Sequence, residues 1–356
     1  MSGRSGRAAK IFRPSSRQSP HFHMSEPRFD LQRMLGRQSV VGAAAALVRD
    51  DNVELAVAGL RDSEREEPID LQTVFNVASL TKPVVSYAVL QLANSGALDL
   101  DEPLARLIPP PVPTDPKSKL ITFRHVLSHT CGLQNLRDRD VQRMHFAPGA
   151  WFSYSSLGFA FLQSALEALT GEPLEATMQR LVFAPLGMHS SSLIWNDRFA
   201  GNIAAPHEGT RRLDVHRPAA ASASYSLFTT ASDYGVFVAA VLRGARLEER
   251  TWREWLTARV MVPKDEIVRL MGPPEETEPD IGWGLGWGIE PSRDAFFQWG
   301  KMDGVRAFVM GSLAEKAGIV LLTNSNTGLR LMEPLTQEVL PGRHAAIRWL
   351  IDGVDE

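Results

Sequence analysis

The chain has 356 residues, of which 44% are hydrophobic and 22% charged, a balance typical of a soluble globular protein with a sizeable core. Its formal net charge of −3 excludes the basic footprint of a nucleic-acid-binding domain and any strong attraction to an anionic membrane. The single cysteine, Cys131, excludes an internal disulfide and a cysteine-based metal cluster. No apolar run approaches the ~20 residues that cross a bilayer. A small molecule is therefore the expected partner, and the oligomeric state is left open.

The first 27 residues predict a disordered basic tail. They contain five lysines and arginines before position 20, and the first acidic residue is Glu26. The tail lacks the hydrophobic core of a secretion signal, so we expect a cytoplasmic protein. A mitochondrial-type presequence also fits the composition, as does a start of the native chain at Met24.

The first elements of the folded region are two strands and a long helix. The apolar run 40–48 and the segment that follows the polar residues 49–52 predict a hairpin. Further along, Val84, Val85, Ala88, Val89 and Leu92 recur at helical spacing, and Gly96 marks the end of that helix.

The start of this helix carries the strongest chemical signal, which is Ser79 followed by Lys82. Residues three apart share a helical face, so the Lys82 amine comes within hydrogen-bond reach of the Ser79 hydroxyl. The free N–H groups and the positive dipole end of a helix start also favour developing negative charge. The same spacing arises by chance, because serine is a common helix N-cap and lysine a common surface residue.

The middle of the chain, about 81–204, reads as mostly helical. Thr122 is a predicted N-cap, and His125 and His129 follow four residues apart. The zinc-protease pattern needs Glu after the first histidine, where this chain has Val126, so we interpret the histidines as structural. Tyr154 is a candidate proton carrier beside Ser79 and Lys82, and the alternative is an aromatic anchor with a satisfied hydroxyl.

The last third predicts an antiparallel meander with flanking helices. Segments 296–299, 305–313 and 318–323 are apolar strands separated by turns, and helices are expected at about 329–339 and 342–351. The alternating glycines of 282–289 predict one further strand rather than a nucleotide loop. No glycine-rich phosphate loop, G-x-S-x-G elbow or metal-ligand pattern is present, so neither cofactor nor metal is predicted.

These elements predict an α/β (α+β) fold. One antiparallel sheet, flanked by helices, is built from both ends of the chain, and an all-helical lobe is inserted between them. After the tail, we expect one hydrolase domain over 28–356, in which 28–80 and 205–356 form the α/β lobe and 81–204 the helical lobe.

Several motifs in order resemble the serine β-lactamase-like superfamily, and most closely the group of class C β-lactamases, D-aminopeptidases and family VIII carboxylesterases. The resemblance covers about 38–330 and is carried by Ser79-Leu80-Thr81-Lys82, Leu127-Ser128-His129-Thr130-Cys131-Gly132-Leu133, Pro148-Gly149 with Tyr154-Ser155-Ser156, Pro185-Leu186-Gly187-Met188 and Gly286-Trp287-Gly288. It implies Ser79 as the acyl-forming nucleophile, Lys82 as its base and Tyr154 as a second proton carrier.

Two departures from the family pattern concern substrate binding. The family's Tyr-x-Asn reads Tyr154-Ser155-Ser156, so Ser156 replaces a carboxamide. The family's third motif reads Gln298-Trp299-Gly300, so neutral Gln298 replaces the cation that holds a substrate carboxylate, unless Lys301 or Arg306 substitutes.

This alignment also implies an oxyanion hole formed by the backbone N–H groups of Ser79 and Lys301, with Trp299 lining an apolar acyl pocket. We expect a serine hydrolase that acts on small esters as a carboxylesterase. A D-amino-acid peptidase, a weak β-lactamase and a binding or scaffold homologue are the alternatives.

Overall fold

The computed structural model describes residues 21–22, 29–50, 52–135, 143–264 and 266–353. The strands are β1 (His21–Phe22), β2 (Gly42–Arg49), β3 (Asn52–Asp62), β4 (Glu67–Pro68), β5 (Phe75–Asn76), β6 (His207–Glu208), β7 (Arg211–Arg212), β8 (Phe228–Thr229), β9 (Val260–Pro263), β10 (Thr277–Trp283), β11 (Gly288–Glu290), β12 (Ala295–Met302), β13 (Val305–Ser312) and β14 (Ala317–Thr323). The helices are α1 (Leu31–Gln38), α2 (Thr81–Asn94), α3 (Phe123–Leu127), α4 (Ser156–Thr170), α5 (Leu174–Met178), α6 (Ala184–Leu186), α7 (Ala231–Leu242), α8 (Glu249–Trp255), α9 (Met332–Val339) and α10 (Ala345–Gly353).

One large sheet joins the two ends of the chain, in the order β1-β3-β2-β14-β13-β12-β11-β10-β9, with β4 beside β3. The meander β12-β13-β14 pairs with β2 through β14, in antiparallel register from Ala317 opposite Arg49 to Thr323 opposite Ala43. The one parallel pairing in this sheet places β1 beside β3. The predicted fold class is confirmed. Two residues of the predicted disordered tail, His21 and Phe22, form β1. The rest of that tail lies outside the described residues.

Both faces of the sheet are covered, which explains why β2 is almost continuously apolar. Ala44, Ala46 and Val48 face a core shared with α2, α7 and the middle helices. Their neighbours Ala43, Ala45 and Leu47 face a second core under α1, α9 and α10. Among the described residues, no helix is both long and apolar enough to cross a bilayer.

The segment 282–289 is a hairpin and not the single strand that its alternating glycines predicted. Strand β10 ends at Trp283 and β11 begins at Gly288, and these two residues pair across the turn. Gly286 adopts φ +104°, which a side chain rarely tolerates. It also packs against Ser86 of α2 so closely that a Cβ would overlap the serine side chain. Here tertiary packing against a helix selects glycine, and the period of two is incidental.

Candidate active site

Ser79 lies in a short 3₁₀ turn, Ala78–Leu80, that runs directly into α2. Ala78 adopts φ +47°, a left-handed conformation that costs an alanine about 1–2 kcal/mol. Its N–H donates to Asn76 Oδ1 at 2.9 Å, and its carbonyl accepts the Thr81 hydroxyl at 2.6 Å. The turn is therefore held in one shape, with Ser79 partly exposed at its tip.

Lys82 is fully buried and directs its amine at the serine, as the spacing predicted. Its Nζ donates to Ser79 Oγ at 3.0 Å and to the Ser224 carbonyl oxygen at 2.8 Å. Burial lowers the lysine pKa to about 7, because the charged form loses its hydration. The amine is thus neutral in a substantial fraction of molecules near neutral pH and can accept the serine proton.

Tyr154 lies on the other side of the lysine, whose Nζ is 4.9 Å from the centre of the phenol ring. Burial raises the pKa of its hydroxyl, and hydrogen bonding by the Ser79 and Gln298 side chains acts in the opposite direction. The hydroxyl is buried close to these two side chains, but its distance and angle to each described residue fall short of a regular hydrogen bond. The predicted Ser79, Lys82 and Tyr154 therefore converge, with a neutral phenol available for proton transfer.

His129, interpreted from the sequence as structural, stacks on Tyr154 with ring centroids 4.1 Å apart. Its Nδ1 accepts the Ser155 N–H at 3.0 Å, so the ring proton of the neutral form is on Nε2. Burial, together with the nearby Lys82 charge, lowers the pKa of His129 well below its ordinary value. His129 therefore packs against the Tyr154 ring as a neutral imidazole and holds the phenol in place. His125 forms a capping box with Thr122 instead.

The third motif lies in β12, beside the nucleophile turn. Gly300 packs so closely on this turn that a Cβ would overlap the Val77 carbonyl oxygen and lie 3.2 Å from the Ala78 Cβ. Gln298 is fully buried, and its amide oxygen accepts the Trp299 N–H at 3.1 Å. Strand β11 pairs with β12 only as far as Phe297. Within the described part of the chain, the residues of β12 after Phe297 therefore have no β11 partner on the side that faces the serine.

Ser156 and the aromatic residue of the third motif are also placed by the structure. Ser156 begins α4, and its N–H donates to Asn135 Oδ1 at 3.0 Å, so a carboxamide from another segment occupies this corner. Trp299 is 6% exposed and packs against Tyr154, Trp283 and Trp349. Its role in an acyl pocket stays a prediction.

The two cations proposed as substitutes for Gln298 differ in their surroundings. Lys301 is exposed, in register with Arg306 on the neighbouring strand. Arg306 donates through Nη1 to the carbonyl oxygens of Met302 and Val305 at 2.8 and 2.9 Å. Its guanidinium therefore holds the end of the β12–β13 hairpin. Among the described residues, no three histidine, cysteine, aspartate or glutamate side chains are grouped to hold a metal ion.

One part of the site was not predicted from the sequence: the Ser224 carbonyl oxygen, which accepts a hydrogen bond from Lys82 Nζ. A backbone acceptor leaves no side-chain signature, so no residue pattern signals it. The contact of His129 with Tyr154 was signalled only by the presence of both residues in the family motifs.

Comparison with known proteins assigns the family. The model of the Beta-lactamase family matches residues 29–340. The chain belongs to the Beta-lactamase family. Membership in this family agrees with the expected class of serine hydrolase.

Relatives of known name include an esterase and a penicillin-binding protein. Esterase EstB of Burkholderia gladioli is 34% identical over 192 residues, which span 45% of this chain and about half (49%) of EstB. Penicillin-binding protein 4 of Amycolatopsis lactamdurans is 25% identical over 92% of this chain and 91% of that protein.

Solved structures share the fold at lower identity. An octameric penicillin-binding protein homologue from Pyrococcus abyssi superposes with a TM-score of 0.72 at 18% identity, over 86% of this chain and 75% of that one. A class C beta-lactamase superposes with a TM-score of 0.68 at 19% identity, over 88% and 95% of the two chains. These likenesses support the α/β fold with its large antiparallel sheet.

Proposed function

We propose that this protein is a carboxylesterase that forms an acyl-enzyme at Ser79. The observation that carries the proposal is the 3.0 Å contact between Ser79 Oγ and the amine of Lys82, whose pKa burial lowers to about 7. A serine hydroxyl is a weak nucleophile until an adjacent base removes its proton, and a desolvated lysine is such a base.

In the proposed mechanism, Ser79 Oγ attacks the ester carbonyl as its proton passes to Lys82 Nζ. The N–H groups of Ser79 and Lys301 bind the developing oxyanion; loss of one such donor costs about 10²–10³ in rate in other enzymes. Tyr154 protonates the departing alcohol and recovers its proton from the lysine. Water then attacks the Ser79 ester, and its proton passes through Lys82 and Tyr154 to Ser79 Oγ as the acyl–oxygen bond breaks. The acid is then released.

Preference for an ester over an amide or lactam is supported by the departures at the rim of the site. Gln298 is neutral and fully buried, so this position offers no cation to the carboxylate that penicillins and peptide ends carry. Ser156 lacks the carboxamide that the family uses there, and the Asn135 carboxamide at this corner already binds the Ser156 N–H through its oxygen. An ester also requires less stabilisation of its leaving group than an amide does. The name of EstB agrees with this proposal, whereas the full-length likeness to penicillin-binding protein 4 favours the peptidase alternative.

The test compares kcat/KM for p-nitrophenyl butyrate, a chromogenic cephalosporin and D-alanine p-nitroanilide. We expect the ester to be hydrolysed best, and Ser79→Ala to lower that rate at least ~10³-fold. Ser164→Ala is the matched control, because that exposed serine bonds only to its own helix, at the Ala160 carbonyl oxygen.

A higher rate on the cephalosporin or the anilide would replace the ester assignment with one of the alternatives. Equal rates for wild type and Ser79→Ala would contradict the serine mechanism. Equality at the uncatalysed background rate would favour a binding or scaffold role.

A further inference from the structure

A cavity of about 430 Å³ lies between the segment 203–216 and the β12–β13 hairpin. This volume is within the range of small-molecule pockets. Its walls are largely apolar and include Ile203, Leu213, Val215, Phe228, Met302 and Val305.

The cavity adjoins the nucleophile turn at two places. Asn76 lines the cavity and binds the Ala78 N–H through its side-chain oxygen at 2.9 Å. Asn76 precedes Ser79 by three positions, so their Cα atoms lie within about 11 Å. On the other wall, Met302 directly follows Lys301, whose N–H is the proposed second oxyanion donor. An extended chain of several carbons attached at Ser79 is comparable in length to this separation.

The position of Tyr154 indicates which arm of an ester would enter. In the proposed mechanism the alcohol leaves toward Tyr154, which packs with Trp283 and Trp299 in the core on the other sheet face. None of these aromatic residues lines the cavity. The arm that remains on Ser79, which is the acyl chain, is the one placed on the cavity side. This placement replaces the acyl-pocket role that the sequence predicted for Trp299, which lies on the alcohol side.

The charges of the cavity are negative. Asp214 and Asp303 both line it and are exposed to solvent. Arg212 Nη1 lies 3.9 Å from Asp214, but Arg212 makes its closer bond of 2.9 Å to the buried Asp62. His216 also lines the cavity. The two exposed carboxylates place negative charge at the open side of the cavity, and such charge selects among charged ligands.

We propose that this cavity holds the acyl chain of the substrate, and that Asp214 and Asp303 select for chains that end in a cation and against chains that end in a carboxylate. The inference rests on the proposed esterase function and specifies its substrate class as esters of medium-length acids with a neutral or cationic end.

The experiment uses three p-nitrophenyl esters of equal chain length: hexanoate, 6-(trimethylammonio)hexanoate and adipate monoester. We expect the wild-type kcat/KM to be at least ~10-fold higher for the cationic ester than for the anionic one at low ionic strength, with hexanoate between them. At about 0.5 M salt the ratio is expected to shrink, because exposed charges are then screened.

The double variant Asp214→Asn/Asp303→Asn is expected to reduce that ratio to ~2-fold or less. The hexanoate rate of the same variant serves as the reference for any loss that is common to all three esters. The matched control is Glu333→Gln/Glu338→Gln. It removes two exposed carboxylates from α9, which packs on the opposite face of the sheet. Leu213→Trp, which narrows the cavity, is expected to lower the hexanoate rate several-fold relative to the acetate rate.

Hydrolysis of hexanoate without charge selection, or with selection that the aspartate variant leaves intact, would overturn this inference and leave the esterase proposal standing. A preference for the adipate ester would also overturn it, and would indicate control by the adjoining pocket lined by Arg61, Arg65 and Arg212. Hydrolysis of none of the esters would overturn both proposals.

Discussion

At the scale of single residues, the chemistry depends on one buried lysine. Between pH values of about 7 and 10.5, the unfolded chain binds a proton at Lys82 that the folded protein does not bind. The low pKa that suits a general base is therefore obtained at the expense of folding free energy.

The first prediction concerns the rate. Because only the neutral amine accepts the Ser79 proton, kcat/KM is expected to rise about tenfold per pH unit below pH 7 and to level off above it. Lys82→Arg, which stays protonated, is expected to lose at least ~10³-fold in rate and the limb near pH 7. A pH-independent wild-type rate between pH 5.5 and 8.5 would contradict Lys82 as the base.

The second prediction concerns stability. Lys82→Met removes the buried amine and is expected to raise the free energy of unfolding relative to wild type, most strongly at and below pH 7. As the pH rises from about 7 toward 10.5 the difference should shrink by about 1.4 kcal/mol per unit, since the proton that only the unfolded lysine binds stabilises the unfolded state less at each higher pH.

Urea unfolding at pH 6, 7.5 and 9 measures this difference. Replacement of the exposed Lys119 by Met is the control and should give a difference independent of pH. A constant difference for Lys82→Met would mean that the folded and unfolded states bind this proton equally.

At the scale of elements, the sequence predicted those parts of the site that depend on local spacing. Ser79 and Lys82 lie within one turn where the 3₁₀ turn runs into α2, so the local backbone brings them together, as the 3.0 Å contact confirms. The prediction of a single strand over 282–289 was wrong because packing determines where its glycines occur. Gly286 lies against α2, which is far away in sequence. A one-dimensional period cannot distinguish these two causes.

The third prediction concerns the contact between β12 and the nucleophile turn. Gly300→Ala places a methyl group on the Val77 carbonyl oxygen, so the strand must move away from the turn. We expect kcat/KM to fall about 10²-fold, because reacting groups tolerate only small displacements, and stability to fall by about 1–3 kcal/mol.

Gly36→Ala in α1 is the matched control, since a Cβ there meets nothing within 4 Å. It is expected to stabilise the protein by up to ~1 kcal/mol and to leave kcat/KM unchanged. Full activity of Gly300→Ala would show that the turn does not require this close approach.

At the scale of the whole molecule, the site is assembled from segments that are far apart in the chain. Lys82 binds the carbonyl of Ser224, Tyr154 adjoins Lys82, and Gly300 packs on the turn before Ser79. These relations depend on how α2, the helical region and the sheet pack together. Motif order suggested the proximity of the side chains, but the backbone partner could not be predicted because packing alone determines it.

The fourth prediction concerns an ion pair that joins distant segments. Arg124 of α3 binds Asp101 through two bonds of 2.6 and 2.9 Å and also pairs with Glu254 of α8. Arg124→Ala is expected to destabilise the fold by about 1–2 kcal/mol, because the arginine is partly buried and bridges two carboxylates, the partly buried Glu254 and the exposed Asp101. Esterase kcat/KM should stay within about twofold.

Arg253→Ala is the control, since its pair with Glu249 is exposed within a single helix. That change should stay within about 0.5 kcal/mol. Hydrogen bonding to Arg124 lowers the pKa of Asp101 below its ordinary value of 3.8. The contribution of the bridge is therefore present above that pH and lost as the pH falls through the folded-state pKa. Equal destabilisation by both alanine variants would contradict a bridging role for Arg124.

If Ser79 is the nucleophile, a fluorophosphonate probe will phosphonylate its hydroxyl, and intact-mass spectrometry will detect the adduct. We predict that the wild-type chain gains one adduct, that peptide mapping assigns it to Ser79, and that Ser79→Ala gains none. An unlabelled wild type, or an adduct mapped to another serine, would contradict a nucleophilic role for Ser79.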